Sequence, residues 1–327
     1  MLTRRKFVAA AASATSALVA GCSRPSQTTG LLTAADDKAG ESHAVLLTTE
    51  GTVRFATRLA ERGHDVFATA DGKSILAVAR RPGRTLARIS AQTGRILTEI
   101  ETAPGRHLYG HAVVTQDGQY VLTSENNIAD GQGVIVVRDG RTLSPLREFS
   151  SHGIGPHEIK WGLSEKTLVI ANGGIATNPD YGRTPLNVDS MAPSLVHIRV
   201  RDGRLLGRVT PSHSKSSVRH IDTLENGTVI VGMQQQDGAA GHEPLVASTD
   251  WLSSRDLQPL DVTPQDLLSL QDYTASVCCD PVSGHTVITS PVGHRVTFWH
   301  ALQQRFVGSM RLSDVAGVAF DRLQREF

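Results

Sequence analysis

Three features of this sequence predict an all-β fold. Runs of four to six β-branched or aliphatic residues are broken throughout by Gly, Asp, Asn and Pro. A unit of two such runs around a turn recurs along the chain, starting at positions 64, 111, 157, 220, 276 and 317. A single stretch, Thr263–Leu270, has helical marks, with Thr and Pro to open it and Asp266 early. Four short strands repeating every 40 to 50 residues or so are the signature of a blade, and the predicted architecture is a β-propeller.

The N-terminus comes first and is of another kind. Thr3-Arg4-Arg5-Lys6-Phe7 has the twin-arginine form, and Val8–Ala20 is apolar but too short for a bilayer span of about 20 residues. Val19-Ala20-Gly21-Cys22 has the small residues and terminal Cys of a lipobox. Residues 1–21 therefore read as a twin-arginine lipoprotein signal peptide, with Cys22 the lipidated first residue of the mature chain. Residues 22–42, rich in Ser, Thr, Gly and Ala, read as a flexible tether, and 43–327 as the propeller domain. The expected location is the periplasm, with membrane contact through the lipid alone and Ser23 tilting the choice towards the outer membrane.

The chain has 33 Lys+Arg and 32 Asp+Glu, and removal of Arg4, Arg5 and Lys6 leaves a mature net charge of −2. The charges are mixed rather than run together, and no nucleic-acid partner is expected. Besides Cys22 there are Cys278 and Cys279, adjacent residues whose mutual bridge would be strained, so disulfides do not hold the fold. A monomer with a large apolar core is expected.

Strands are predicted at Ser74–Ala79, Tyr120–Ser124, Val134–Val137, Thr167–Ala171, Thr228–Gly232, Thr286–Thr289 and Val296–Trp299. Turns follow the first strand of each unit at Asp71-Gly72, Asp117-Gly118, Ser164-Glu165, Asn226-Gly227 and Ser283-Gly284. The two longest intervals contain insertions, residues 174–192 and the helical segment 261–270. Six blades are counted, and seven are compatible with the spacing. The unit that starts at Gly317 stops at Phe327, so its missing strands are expected from the N-terminal side, at Ala44–Thr48 and Val53–Leu59. Closing the ring this way removes open sheet edges. A β-sandwich gives no reason for so regular a repeat.

Four successive units begin with histidine in one register: His64, His111, His157 and His220; the next two have Ser276 and Gly317 there. The first strand of each blade lies innermost, so the four imidazoles are expected to converge on one face of the central channel. A structural role, as for the Gly-His pair of WD-type repeats, is the alternative. That pair lies much further ahead of its turn than His111 does from Asp117, and no Trp-Asp dipeptides close these blades. Neutral imidazole is the commonest ligand for transition metals, and three or four from different blades would leave an open position. His107, His152 and Glu125 lie on segments expected to reach the same face and complete the candidate metal-ligand set. Asp65, Glu158 and Arg219 adjoin ligand positions, and strict alternation makes them partners rather than ligands. The sequence has no Cys-x-x-Cys-His haem motif, P-loop or dinucleotide fingerprint. Trp161, Trp251 and Trp299 read as blade packing.

Gly105-Arg-His-Leu-Tyr-Gly-His111, Thr123-Ser-Glu-Asn126, Ser150-Ser-His-Gly-Ile-Gly-Pro-His-Glu158, Asn172-Gly-Gly174, Met191-Ala-Pro-Ser-Leu195 and Val218-Arg-His220 resemble a family of exported bacterial proteins. It is the domain-of-unknown-function family 1513, and the likeness runs from about residue 43 to 320. The resemblance implies a propeller similar to quinoprotein and YVTN-repeat folds. It also implies gene neighbours of the imelysin-like and di-haem oxidase kinds, hence periplasmic iron-uptake proteins as partners. Family members run on into a further glycine-rich strand, whereas this sequence ends at Phe327. The expected function is binding of a transition metal, iron or copper ahead of zinc, in iron acquisition or metal handling. A non-enzymatic interaction scaffold with structural histidines and a metal-dependent oxidoreductase are the rivals.

Overall fold

β-formers punctuated by turn residues build 23 short strands among the described residues, most of which pair antiparallel with their chain neighbours. The computed structural model describes residues 30–238, 243–251 and 256–327; the signal segment, Cys22 and the first part of the tether lie outside the described residues. Strands β1 (Gly30–Asp36), β2 (Ser42–Thr48) and β3 (Val53–Arg58) form a three-stranded sheet. The first four-stranded blade is β4 (Gly63–Ala68), β5 (Ser74–Ala79), β6 (Thr85–Ser90) and β7 (Ile96–Glu101). The second is β8 (Arg106–Val114), β9 (Tyr120–Asn127), β10 (Gly133–Asp139) and β11 (Pro145–Ser150). The third is β12 (Pro156–Trp161), β13 (Thr167–Asn172), β14 (Ser194–Arg199) and β15 (Arg204–Val209). The fourth is β16 (Ser216–Thr223), β17 (Thr228–Gln235), β18 (Val246–Asp250) and β19 (Gln258–Pro259). The fifth is β20 (Val277–Cys279), β21 (His285–Ser290), β22 (Arg295–His300) and β23 (Arg305–Arg311).

Innermost strands of successive blades touch in chain order, β4 on β8, β8 on β12, β12 on β16 and β16 on β20, while β1 packs on β4. The six sheets thus form one ring, a six-bladed β-propeller. The sixth blade joins both ends of the described chain. β1 to β3 supply its outer strands, and Val318–Phe320 line the channel between Asp65 of β4 and Val277–Cys279 of β20. Its first strand begins at Gly30, within the stretch expected to be tether. Gly30 to Asp36 pairs residue for residue with Thr48 to Ser42, which satisfies its backbone and recruits it to the sheet.

Local chemistry accounts for the turns. Asp71 and Asp117 each accept the hydroxyl of the Thr two residues before and the backbone N–H two residues after, at 2.7 to 3.0 Å. The predicted helix is the short α1 (Pro264–Leu268), capped by Thr263 Oγ1 accepting from Asp266 N. Buried apolar clusters sit between blades. Val113, Leu122, Ile135 and Val137 of one blade meet Ile159, Leu168, Ile170 and Val196 of the next. Leu76, Val78 and Leu86 meet Leu108 and Val121 in the same way. No blade buries both faces alone, so stacking around the ring makes the core.

Candidate metal centre

The four in-register histidines meet in the channel. One ring nitrogen from each of His64, His111, His157 and His220 lies within 4.8 Å of every other. Neighbouring ring centroids are 4.7 Å apart for His157–His220 and 4.8 Å for His64–His111, with the planes nearly perpendicular.

Irregularities in the inner strands aim these side chains. Gly63 pairs with Ala79 but Asp65 with Val78, so His64 is an extra residue. Pro156 pairs with Asn172 but Glu158 with Ala171, so His157 is another. In β16 the pairing steps from Val218 to His220, and in β8 from Leu108 to Ala112. A β-bulge re-aims a side chain that strict alternation would send away. Successive residues such as His64 and Asp65, or His157 and Glu158, therefore both reach the cluster. Gly110 belongs to the β8 irregularity at φ +108°, and a Cβ there would lie 2.3 Å from the His64 ring. Only glycine fits that close approach.

Carboxylates hold the outer edges of two rings. His111 Nδ1 lies 3.2 Å from Asp65 Oδ2 and 3.7 Å from Glu158 Oε1, and His220 Nδ1 lies 3.1 Å from Glu158 Oε2. Glu158 Oε2 also accepts the Ile221 N–H at 2.9 Å. With Nδ1 donating to carboxylate, Nε2 of His111 and His220 carries the free lone pair. The Nε2 atoms of His64 and His111 are buried without a partner. His157 Nε2 faces His220 Nε2 at 3.2 Å. Two nitrogens bound at about 2.0–2.1 Å to one tetrahedral ion stand about 3.3 Å apart. Without metal the His157–His220 contact is itself a hydrogen bond, but it leaves the nitrogens of His64 and His111 unserved.

Burial pushes the imidazoles of His64 and His157 well below the usual histidine range, and each is depressed further by its histidine neighbours. His220 is lowered by burial, with Glu158 pulling the other way. These three rings are driven to the neutral form that ligates metal. Burial also opposes protonation of His111, but Glu158 and Asp65 together outweigh it and raise that ring. Burial disfavours a charged Glu158, yet Lys160 at 3.3 Å and the two histidines it touches lower it overall. Lys160 in turn is held charged against burial by Glu158, Asp222 and Asp65. A cavity of about 280 Å³ adjoins the cluster, lined by Asp65, Glu158, Lys160, Asp222, Cys278 and Arg322 among others.

The sequence-predicted set divides here. His64, His111, His157 and His220 come together, and Asp65 and Glu158 act as their partners. His107, His152 and Glu125 do not join them. His107 is fully buried, with Nδ1 on the Leu108 carbonyl at 3.0 Å and its ring against Tyr109. His152 lies on the flank of the third blade, its Nε2 2.8 Å from the Gly203 carbonyl. Glu125 is buried in an ion pair with Arg138 at 2.6 Å and accepts the Thr123 hydroxyl. Its charge is thus compensated away from the histidine cluster. Lys160 and Asp222 escaped the sequence reading, although each stands two residues beyond a cluster residue on the same inner strand.

Fold and site define the class: a β-propeller with a buried four-histidine cluster in its channel. Residues 57–323 match the family described as "Protein of unknown function (DUF1513)", and the chain belongs to that family. Among solved structures, a chain of the Kuenenia stuttgartiensis hydrazine synthase superposes with a TM-score of 0.68 at 14% identity. The match covers 86% of this chain and 84% of that one, and it shows the shared fold. No protein of curated function matches the sequence.

Proposed function

We propose that this protein binds one transition-metal ion at His64, His111, His157 and His220 and serves in metal handling outside the cytoplasm. The observation that carries the reading is the state of the ring nitrogens. Nε2 of His64 and His111 are buried without partners, and carboxylates hold the outer nitrogens of His111 and His220. An unpaired buried polar atom costs about 1–3 kcal/mol, and an ion shared by the four rings would remove that cost at His64 and His111 while replacing the His157–His220 contact. All-imidazole ligation suits iron, copper or zinc, and an exported protein of iron acquisition would hold iron or copper. The twin-arginine form at Arg4-Arg5 and the lipobox ending at Cys22 support export of the folded protein and anchorage by lipid in the periplasm.

The test is elemental analysis of mature protein recovered from the periplasm, beside a variant with His111, His157 and His220 changed to Ala. Stoichiometric metal in the parent and none in a folded variant is the expected result. If both are empty, even after incubation with each metal in turn, the histidines are structural and the scaffold reading replaces this one.

A further inference from the structure

Four arginines gather on the face of the ring where the histidines enter, and among the described residues none forms an ion pair with a carboxylate. Arg80 and Arg81 follow β5, Arg183 lies in the loop inserted between β13 and β14, and Arg219 sits in the bulge of β16. Register puts these positions at one end of the blades, since Gly63 opposes Ala79 and Pro156 opposes Asn172. The Arg81 guanidinium lies 5.6 Å over the Tyr109 ring. Burial first, then the charge of Arg81, lowers the Arg219 guanidinium, with Tyr273 and Tyr109 opposing. Arg80 and Arg81 are also lowered chiefly by burial, with the charge of Arg183 adding to it and Tyr273 opposing. Arg219 is only 6% exposed, and its Nε has no hydrogen-bond partner. Nη1 of Arg81 is buried and unpartnered in the same way.

A buried cation without a counter-charge is costly, and for Arg219 the charge of the half-buried Arg81 adds to that cost, as the exposed Arg183 does for the half-buried Arg80 and Arg81. Planar guanidinium groups match carboxylate and phosphate oxygens in two-point contact. We propose that this arginine cup is a binding site for a small multivalent oxyanion bearing carboxylate or phosphate oxygens, held chiefly by Arg81 and Arg219. Arg219 directly precedes His220, and Arg80 acts on His64, so the anion would lie beside the imidazoles. If the cluster holds metal, this placement fits a metal arriving as an anionic chelate; that extension alone rests on the metal reading.

The experiment is titration calorimetry on metal-free full chain with citrate and with inorganic phosphate, in chloride buffer of matched ionic strength. The parent is compared with an Arg81→Gln/Arg219→Gln double variant of unchanged circular dichroism. Saturable binding of either anion, at least tenfold weaker in the double variant, is the expected result. Tighter citrate identifies a carboxylate ligand and tighter phosphate a phosphate one. Should the double variant fail to fold, Arg183→Gln, at an exposed position, is expected to weaken binding about threefold or more. Absence of saturable binding by both anions, or equal affinity in the arginine variants, overturns the proposal. Because the protein is metal-free, an empty histidine cluster leaves this test intact.

Discussion

Glu158 serves two rings with one carboxylate, holding His220 through Oε2 and lying within 3.7 Å of His111 through Oε1. Glu158→Gln keeps the shape but offers one acceptor oxygen in place of two and removes the charge facing Lys160. Loss of such an orienting carboxylate commonly weakens metal affinity 10- to 100-fold. That drop is expected here, read by competition with a chelator of known affinity, and an unchanged affinity would show that the rings orient themselves. Proton linkage adds a second expectation at this scale. His64, His157 and His220 have folded pKa values below the ordinary 6.5. Below pH 6.5 the unfolded chain takes up protons at these sites that the folded chain refuses, so stability falls with pH. His111, raised by its carboxylates, has the opposite sign: its contribution is full below 6.5 and fades as pH rises through its folded value. Three sites outweigh one, and the Tm of metal-free protein is expected to drop between pH 7 and pH 5. Glu158, lowered from 4.5, extends the loss below that value. A Tm that is flat or rises on acidification over this range contradicts the assignment.

The bulged inner strand is the element that makes the site. Gly110→Ala tests it, because the added methyl meets the His64 ring at 2.3 Å and the backbone is held at φ +108°. A cost of about 1–3 kcal/mol is expected, together with loss of bound metal because His64 is displaced. Full metal content at an unchanged Tm would show that the bulge has no positioning role. These bulges also mark where sequence reading stops. The histidine register was legible because each residue stands six or seven positions before a turn, and Ser74–Ala79 was legible because its run of β-formers is unbroken. An extra residue in a strand leaves no such mark, so Asp65 and Glu158 could be paired with the cluster but not placed in it. Glu125 is drawn away from the cluster for a related reason: its partner Arg138 lies on the next strand, and charge pairing across a sheet is invisible in linear order. β1 was hidden because Gly30–Asp36 is short of β-branched residues and gains its order from pairing with β2.

At the scale of the whole ring, the four histidines come from four successive blades, so an ion held by them would tie together the inner strands β4, β8, β12 and β16. Among the described residues, the opposite part of the ring has no such histidine cluster. There the sixth blade joins β1–β3 to the C-terminal segment, which is fastened by Thr289 Oγ1 on the Ala316 carbonyl at 2.6 Å and by the Arg325–Asp280 ion pair. Metal that binds the folded ring and not the unfolded chain adds RT ln(1 + [L]/Kd), about 2.7 kcal/mol at a hundredfold excess over Kd. With about 2–4 °C of Tm per kcal/mol for a domain approaching this size, the gain is roughly 5–10 °C. Scanning calorimetry of one preparation, before and after chelation, should show that difference as a shift of a single transition. The variant lacking His111, His157 and His220 should melt at one temperature whatever the metal supplied. If chelation instead splits the melt into two transitions, the ring is not one cooperative unit without its metal, and the ion closes the fold as well as occupying it. If chelation changes nothing in a protein shown to be loaded, the metal lies elsewhere and the four imidazoles are structural.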